Sequence, residues 1–344
     1  MIRAVILALL VLGAADARAD IWKDAAAGQA GADADEFYTR ALERGDDAAG
    51  QAAQRGTRAH VRLATIDKAI AAYEVAAKAK PSAGEPYARI AKVIDSFFYE
   101  LCDKSLTLQV LAQLPIEPSP FCDVFSPARA RQMIAALDAL EQRSPLDPRI
   151  ASCVSRCARF ERAILHTKLA THDDLVAAAA DYQWIIEHSD GNRNLGVEAN
   201  NLAETDMMLG KLDEAITMYR LAMEYRTDVS TAYGLAVALD RDDESAEAEA
   251  LIQQLGPAGF KTFDDQVHGG ETFFVPEGEK EYYYALVYET YGQAGEAIRR
   301  WQAYLASGAH PQYQPRARAH IAALTAQLKL HPQIVRPPPS DLDE

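Results

Sequence analysis

The stretch NLAETDMMLGKLDEAITMYRLAMEYRTD, residues 201–228, constrains the fold of this chain more than any other. Leu202, Ala203, Met207 and Met208 recur at helical spacing, Gly210 interrupts, and Leu212, Ala215, Ile216, Tyr219 and Ala222 resume the same period. The pattern predicts two short amphipathic helices joined by a tight turn. Ala203, Ala215 and Ala222 are small enough to let two helix backbones approach, and Tyr219 fills the space beside them. A lone hairpin of this kind cannot bury its apolar face, so further copies are needed.

The copies are present. Ala69, Tyr73, Ala76 and Pro81 stand at the offsets of Ala215, Tyr219, Ala222 and Thr227, and Ala297, Trp301, Tyr304 and Ala309 repeat them. Weaker versions run through Met133, Leu137, Leu140 and Pro145, through Ala178, Tyr182 and Ile185, and through Ala248, Ile252 and Leu255. The pattern resembles the tetratricopeptide repeat (TPR) family, whose unit is a helix-turn-helix of about 34 residues. The resemblance covers about residues 45–327 and implies six hairpins. Of the five steps between successive second helices three are longer than the unit allows, and two of these coincide with extra segments. One holds LCDKSLTLQVLAQLPIEPSPFC, read as an insertion at about 102–126. The other holds GFKTFDDQVHGGETFFVPEGEK, where Gly269-Gly270 between two partly apolar runs predicts a β-hairpin.

The expected fold is therefore all-α, an α-solenoid of helix-turn-helix repeats with a small β-hairpin insertion. Residues 1–19 read as a signal peptide and 20–44 as a leader with a first helical segment. Residues 45–253 carry helical repeats, 254–281 the hairpin insertion, 282–330 the last repeat with a capping helix from about Arg316, and 331–344 a Pro-rich acidic tail. The signal-peptide reading rests on Arg3, an apolar run from Ala4 to about Ala15, and the small-x-small site Ala17-Arg18-Ala19. The run is well short of the roughly 20 residues that cross a bilayer. A periplasmic or secreted protein is expected, cleaved after Ala19, with no transmembrane segment in the mature chain.

Export bears on the four cysteines, because an even count in an oxidising compartment favours disulfides. Cys102 and Cys122 flank the first insertion and are the favoured pair. Cys153 and Cys157 lie one turn apart on a predicted helix, a spacing poorly suited to a mutual disulfide, and are read as free or reaching elsewhere. The formal net charge of −15 repels phosphate backbones and argues against a nucleic-acid partner.

Catalytic chemistry has little sequence support. GxSxG, HExxH and P-loop patterns are absent. His268-Gly269-Gly270-Glu271 resembles an oxyanion loop but lacks a nucleophile elbow, and a turn is the better reading. Asp240, Asp242 and Glu244 imitate the opening of a calcium loop, yet Ser245 stands where the turning glycine belongs, so a solvated inter-helix turn is expected. The histidines are scattered, and no complete ligand set can be assembled. No enzyme activity, cofactor or metal is expected.

In EYYYALVYETYG, Tyr284, Tyr288 and Tyr291 share one helical face and read as core. Tyr282 and Tyr283 point elsewhere, either covering the inserted hairpin or forming an exposed recognition surface. The TPR resemblance implies that first helices line a concave groove that binds a peptide or partner helix. It brings Val197, Asn200, Asn201, Glu204, Met207 and Met208 toward that groove, with Asn201 at the position of a backbone-anchoring asparagine. Ala163, Ile164 and Thr167 flank them on one side, and Tyr233, Gly234 and Val237 on the other. The family's carboxylate-clamp lysines are missing, which favours an uncharged or apolar segment. The expected function is a non-catalytic protein-interaction scaffold of the bacterial envelope, with an accessory or regulatory subunit of an envelope enzyme or a secretion or assembly complex as the alternative and a hydrolytic or metal-dependent enzyme as the least favoured reading.

Overall fold

The structure, a computed structural model, describes residues 31–100, 119–122, 124–152, 157–189, 194–225, 228–270, 272 and 274–330. It divides into two compact units, Met1–Leu146 and Asp147–Glu344. Among the described residues every regular element is helical, and within each unit helices that follow one another in the chain pack together.

In the first unit, residues 31–52 are helical (α1) and are followed by α2 (Ala59–Ala79), α3 (Glu85–Phe98) and α4 (Pro127–Arg143). Helix formation thus reaches into the segment read as a leader. The buried face of α2 carries Ala69, Tyr73 and Ala76, the triplet of the repeat pattern. Tyr73 reaches across to α1, where its hydroxyl donates to Asp46 Oδ1 at 2.9 Å. Its ring lies against Gly45, and a Cβ there would come within 2.2 Å of Tyr73 Cε1, so only glycine permits the contact. Ser126 caps α4 by accepting from Arg129 N, with Pro127 in the first turn where its missing N–H costs nothing. Helices α3 and α4 pack together although the insertion separates them in sequence. Phe121 at the end of that insertion stacks on Phe98 at 5.1 Å between ring centroids.

In the second unit, a single turn at Pro148–Ala151 precedes α5 (Ala158–Leu169), α6 (His172–His188), α7 (Gly196–Leu209), α8 (Leu212–Tyr225), α9 (Val229–Arg241) and α10 (Ser245–Gly269). Then come α11 (Lys280–Thr290), α12 (Ala294–Ser307) and α13 (Gln314–Leu330), the last helix starting two residues before the expected Arg316. The α7–α8 hairpin is the one read at residues 201–228. Gly210 ends α7 at φ 79°, a left-handed cap that glycine adopts at no steric cost. Ala215, Tyr219 and Ala222 are buried, as are Ala178, Tyr182 and Ile185 on α6, and Ala297, Trp301 and Tyr304 on α12. These are helical hairpins packed one after another in chain order, an α-solenoid arrangement within the unit.

The expected β-hairpin does not form. Residues 257–269 are helical, and Gly270 at φ 77° is the left-handed cap of α10, not a hairpin turn. Phe260 and Phe263 lie three apart and are both buried, a helical spacing that packs them on Tyr284 and Tyr283. The helix is broken only at Gly256, φ 66° and ψ −178°, where Pro257 begins a new segment.

Cys122 and Cys157 are both disulfide-bonded, so Cys157 is not free. The remaining cysteines, Cys102 and Cys153, lie outside the described residues, as do residues 1–19 and the tail 331–344. Among the described residues, no helix is long and apolar enough to cross a membrane.

Candidate functional site

The residues read as a groove divide into two sets. Val197 is 45% exposed, and Asn200, Asn201, Glu204 and Met208 are half-buried. Met207, Tyr233, Tyr282 and Tyr283 are at most 5% exposed and belong to the core. The reason is specific in each case. Tyr313, in the 3-10 turn Pro311–Tyr313, lies over the end of α7 and donates to the Met207 carbonyl at 2.8 Å. Tyr233 packs on Phe263, 4.8 Å between ring centroids. Tyr282 meets Trp301 and Tyr304 edge-on, and Tyr283 stacks on Phe263. The chain's own C-terminal segment and the helical continuation of α10 thus occupy space that the pattern left to a partner. Any surface role for a β-hairpin is lost with the hairpin.

Beyond that covered end lies a network of charges that local sequence did not disclose. Asp240 is fully buried at the end of α9, not part of a solvated turn. Its carboxylate accepts from the Tyr282 hydroxyl at 2.7 Å, from Ser245 Oγ at 2.9 Å and from Arg316 Nη2 at 2.9 Å. His320 Nε2 lies 3.1 Å from the same carboxylate, while its Nδ1 lies 3.0 Å from Glu289 Oε1 and its ring stacks on Trp301. Burial disfavours the imidazolium, but the hydrogen bonds and charges of Asp240 and Glu289 outweigh it, and the His320 pKa is pushed up to about 9. Burial likewise works to raise the Asp240 pKa and is overcome by His320 and Arg316, which hold it below the usual carboxylate range. With both ring nitrogens committed to carboxylates, His320 is a structural cation and not a poised base. Next to it, Arg241 Nη2 donates to Glu279 Oε1 at 2.5 Å, and the guanidinium lies over the rings of Tyr282 and Tyr313.

His166 shows the same economy: its Nδ1 lies 2.8 Å from Asp174 Oδ1, beside the cap of α6. Among the described residues no three His, Cys, Asp or Glu side chains form a group that could hold a metal ion.

The accessible part of the inner face centres on Glu204. Asn200 Nδ2 donates to Glu204 Oε1 at 3.0 Å, which leaves Asn200 Oδ1 buried and without a hydrogen-bond partner. Burial first, with the Glu204 charge among the lesser causes, pushes up the pKa of Tyr182 on α6, Tyr219 on α8 and Tyr283 on α11. Burial first, and then the neighbouring Glu279, push the Glu204 pKa up to about 7 despite the Asn200 hydrogen bond.

No family model and no curated protein matches the sequence. Among solved structures, the chain is similar to the TPR domain of P58(IPK), with 14% identity over 86% of this chain and 80% of that one, at a TM-score of 0.28.

Proposed function

We propose that this chain is a non-catalytic protein-interaction scaffold, holding an extended segment of a partner against the inner face of α7. The supporting observation is the first turns of that helix. Val197 is exposed, Asn200 and Asn201 beside it are only half-buried, and Asn200 Oδ1 has an unused acceptor. An apolar contact next to amides that donate and accept suits an extended backbone, whose N–H and C=O groups need partners at every residue. Arg3, the short apolar run and Ala17-Arg18-Ala19 support export, with the partner in the bacterial envelope.

A photo-cross-linking residue at Val197 tests the reading against the same residue at Val176, which is equally exposed but lies on the second helix of its hairpin. A discrete partner should be captured from Val197 alone. Asn201→Ala should weaken that partner's binding by about 1–3 kcal/mol with little change in Tm. Equal capture from both positions, or unaltered binding by Asn201→Ala, would remove the groove from consideration. Mass spectrometry of native material should find Asp20 at the amino terminus; an intact Met1 would refute export.

A further inference from the structure

A short turn, residues 308–313, carries the chain from α12 to α13 and lies over the C-terminal end of α7. Gly308 and His310 both take left-handed backbone, at φ 71° and 37°. His310, not being glycine, is strained there, and lifting the turn relieves that strain. The turn is held to α7 by two hydrogen bonds: the Tyr313 hydroxyl donates to the Met207 carbonyl at 2.8 Å, and Gln312 Nε2 to the Met208 carbonyl at 3.5 Å. The Met207 carbonyl also accepts from Gly210 N at 3.1 Å, so it keeps a partner when Tyr313 leaves.

The His310 side chain is 12% exposed, and its Nε2 lies 3.8 Å from Glu279 Oε2. That oxygen is buried and has no hydrogen-bond partner among the described residues, since Arg241 takes Oε1. Charged and polar groups reach the imidazole from each side. Glu279 comes from the 3-10 turn Glu277–Glu279, Arg241 from α9 with its guanidinium over the Tyr313 ring, and Val275 offers its carbonyl. From α12 the Tyr304 hydroxyl donates to the His310 carbonyl, and Tyr313 meets the imidazole edge-on at 6.4 Å. The fit is close, because a Cβ on Gly278 would collide with Ser307. A proton on His310 adds a second cation beside a carboxylate that Arg241 already balances. Burial first, and Arg241 after it, outweigh Glu279 and the Val275 carbonyl and hold the imidazole below its ordinary pKa of 6.5.

We infer that residues 308–313 form an acid-released latch over the end of α7, with His310 as its trigger. In the closed latch the imidazole resists protonation, whereas in the open one it takes up a proton like any solvated histidine. The closed state is therefore fully favoured above about pH 6.5 and loses ground as pH falls below that value. The cation of His320 is complete over the same range and fades only near pH 9, so α13 stays docked while the turn lifts. Opening uncovers Met207, now 3% exposed, and lengthens the accessible face of α7.

Opening is read without any partner, so its failure leaves the scaffold reading standing, and the absence of a Val197 partner leaves the latch standing. Hydrogen exchange of the full-length protein, expressed as protection factors to remove the intrinsic effect of pH, compares about pH 7.5 with about pH 5.5. Protection of residues 308–313 should fall about tenfold at the lower pH, while α12 and α13 keep theirs. His310→Gln, neutral at both values, should show no such fall. An NMR titration supplies the reciprocal measurement. The His310 pKa should lie below 6.5 in the native protein and move toward it in Tyr313→Phe, which loses the bond to Met207 and populates the open turn. Protection indifferent to pH, an equal fall in His310→Gln, or a fall shared by α12 would overturn the latch. A His310 pKa at or above 6.5, or one unmoved by Tyr313→Phe, would overturn it equally.

Discussion

Glu204 holds a carboxyl group in surroundings that favour its neutral form, and the sign of the resulting pH dependence follows directly. Its folded-state pKa of about 7 lies above the ordinary value of 4.5. Stability contributed by the protonated group is fully present below 4.5 and is lost as pH rises through 7. Above that pH the buried carboxylate costs at most about 3 kcal/mol. Glu204→Gln keeps the acceptor that Asn200 uses and removes the ionisation. It should therefore raise Tm at about pH 8.5 and leave it nearly unchanged at about pH 4.5. An identical shift at both pH values would show that Glu204 does not titrate in this way. Sequence identified Glu204 as facing the groove but carried no sign of its perturbed ionisation, since its neighbours Tyr219, Glu279 and Tyr283 are remote in the chain. Asp240 was opaque for the same reason. Its local company, Asp242, Asp243 and Glu244, is hydrophilic, whereas the groups that bury it come from Tyr282 and His320, 42 and 80 residues away.

The second helices were legible because their packing is local: small, aromatic and small side chains at fixed offsets let one helix sit close to its neighbour. The Tyr219 ring shows how tight the fit is, since a Cβ at Gly234 on α9 would lie 2.6 Å from its Cε1 atom. Gly234→Ala should cost about 1–3 kcal/mol by overpacking, which exceeds the gain of about 1 kcal/mol in helix propensity. Gly295→Ala on α12 is the control, because an added Cβ there meets nothing within 4 Å. Denaturant unfolding compares them, and equal effects would contradict the close Tyr219 contact. Residues 257–269 misled because Gly269-Gly270 has the composition of a turn, while the helical spacing of Phe260 and Phe263 was the stronger cue. The C-terminal helix was foreseen as a cap, but not the chemistry that docks it. His320→Gln should destabilise the protein by about 3 kcal/mol near pH 7, because Asp240 and Glu289 lose a shared cation. The His320 pKa is raised, so its contribution is complete below 6.5 and fades as pH rises through about 9. Urea unfolding of both proteins at about pH 7 and pH 10 should show the difference shrinking; a pH-independent difference would point to lost packing on Trp301 instead.

At the scale of the whole molecule, sequence supplied the architecture and the net charge but not the distribution of that charge. The chain carries a formal −15, to which the buried Glu279, paired with Arg241, adds little at the surface. A partner that carries a basic segment is attracted before contact, over a distance set by ionic screening of about 10 Å at 0.1 M salt. The attraction acts chiefly on encounter, because charges not yet desolvated steer the approach while the buried contacts govern escape. For the partner captured at Val197, the association rate should fall about tenfold between about 0.02 M and 0.3 M salt, with a smaller change in the dissociation rate. Stopped-flow association measured across that salt range separates the two effects. An association rate indifferent to salt would mean that the bound segment is not basic, and the net negative charge would then serve solubility alone.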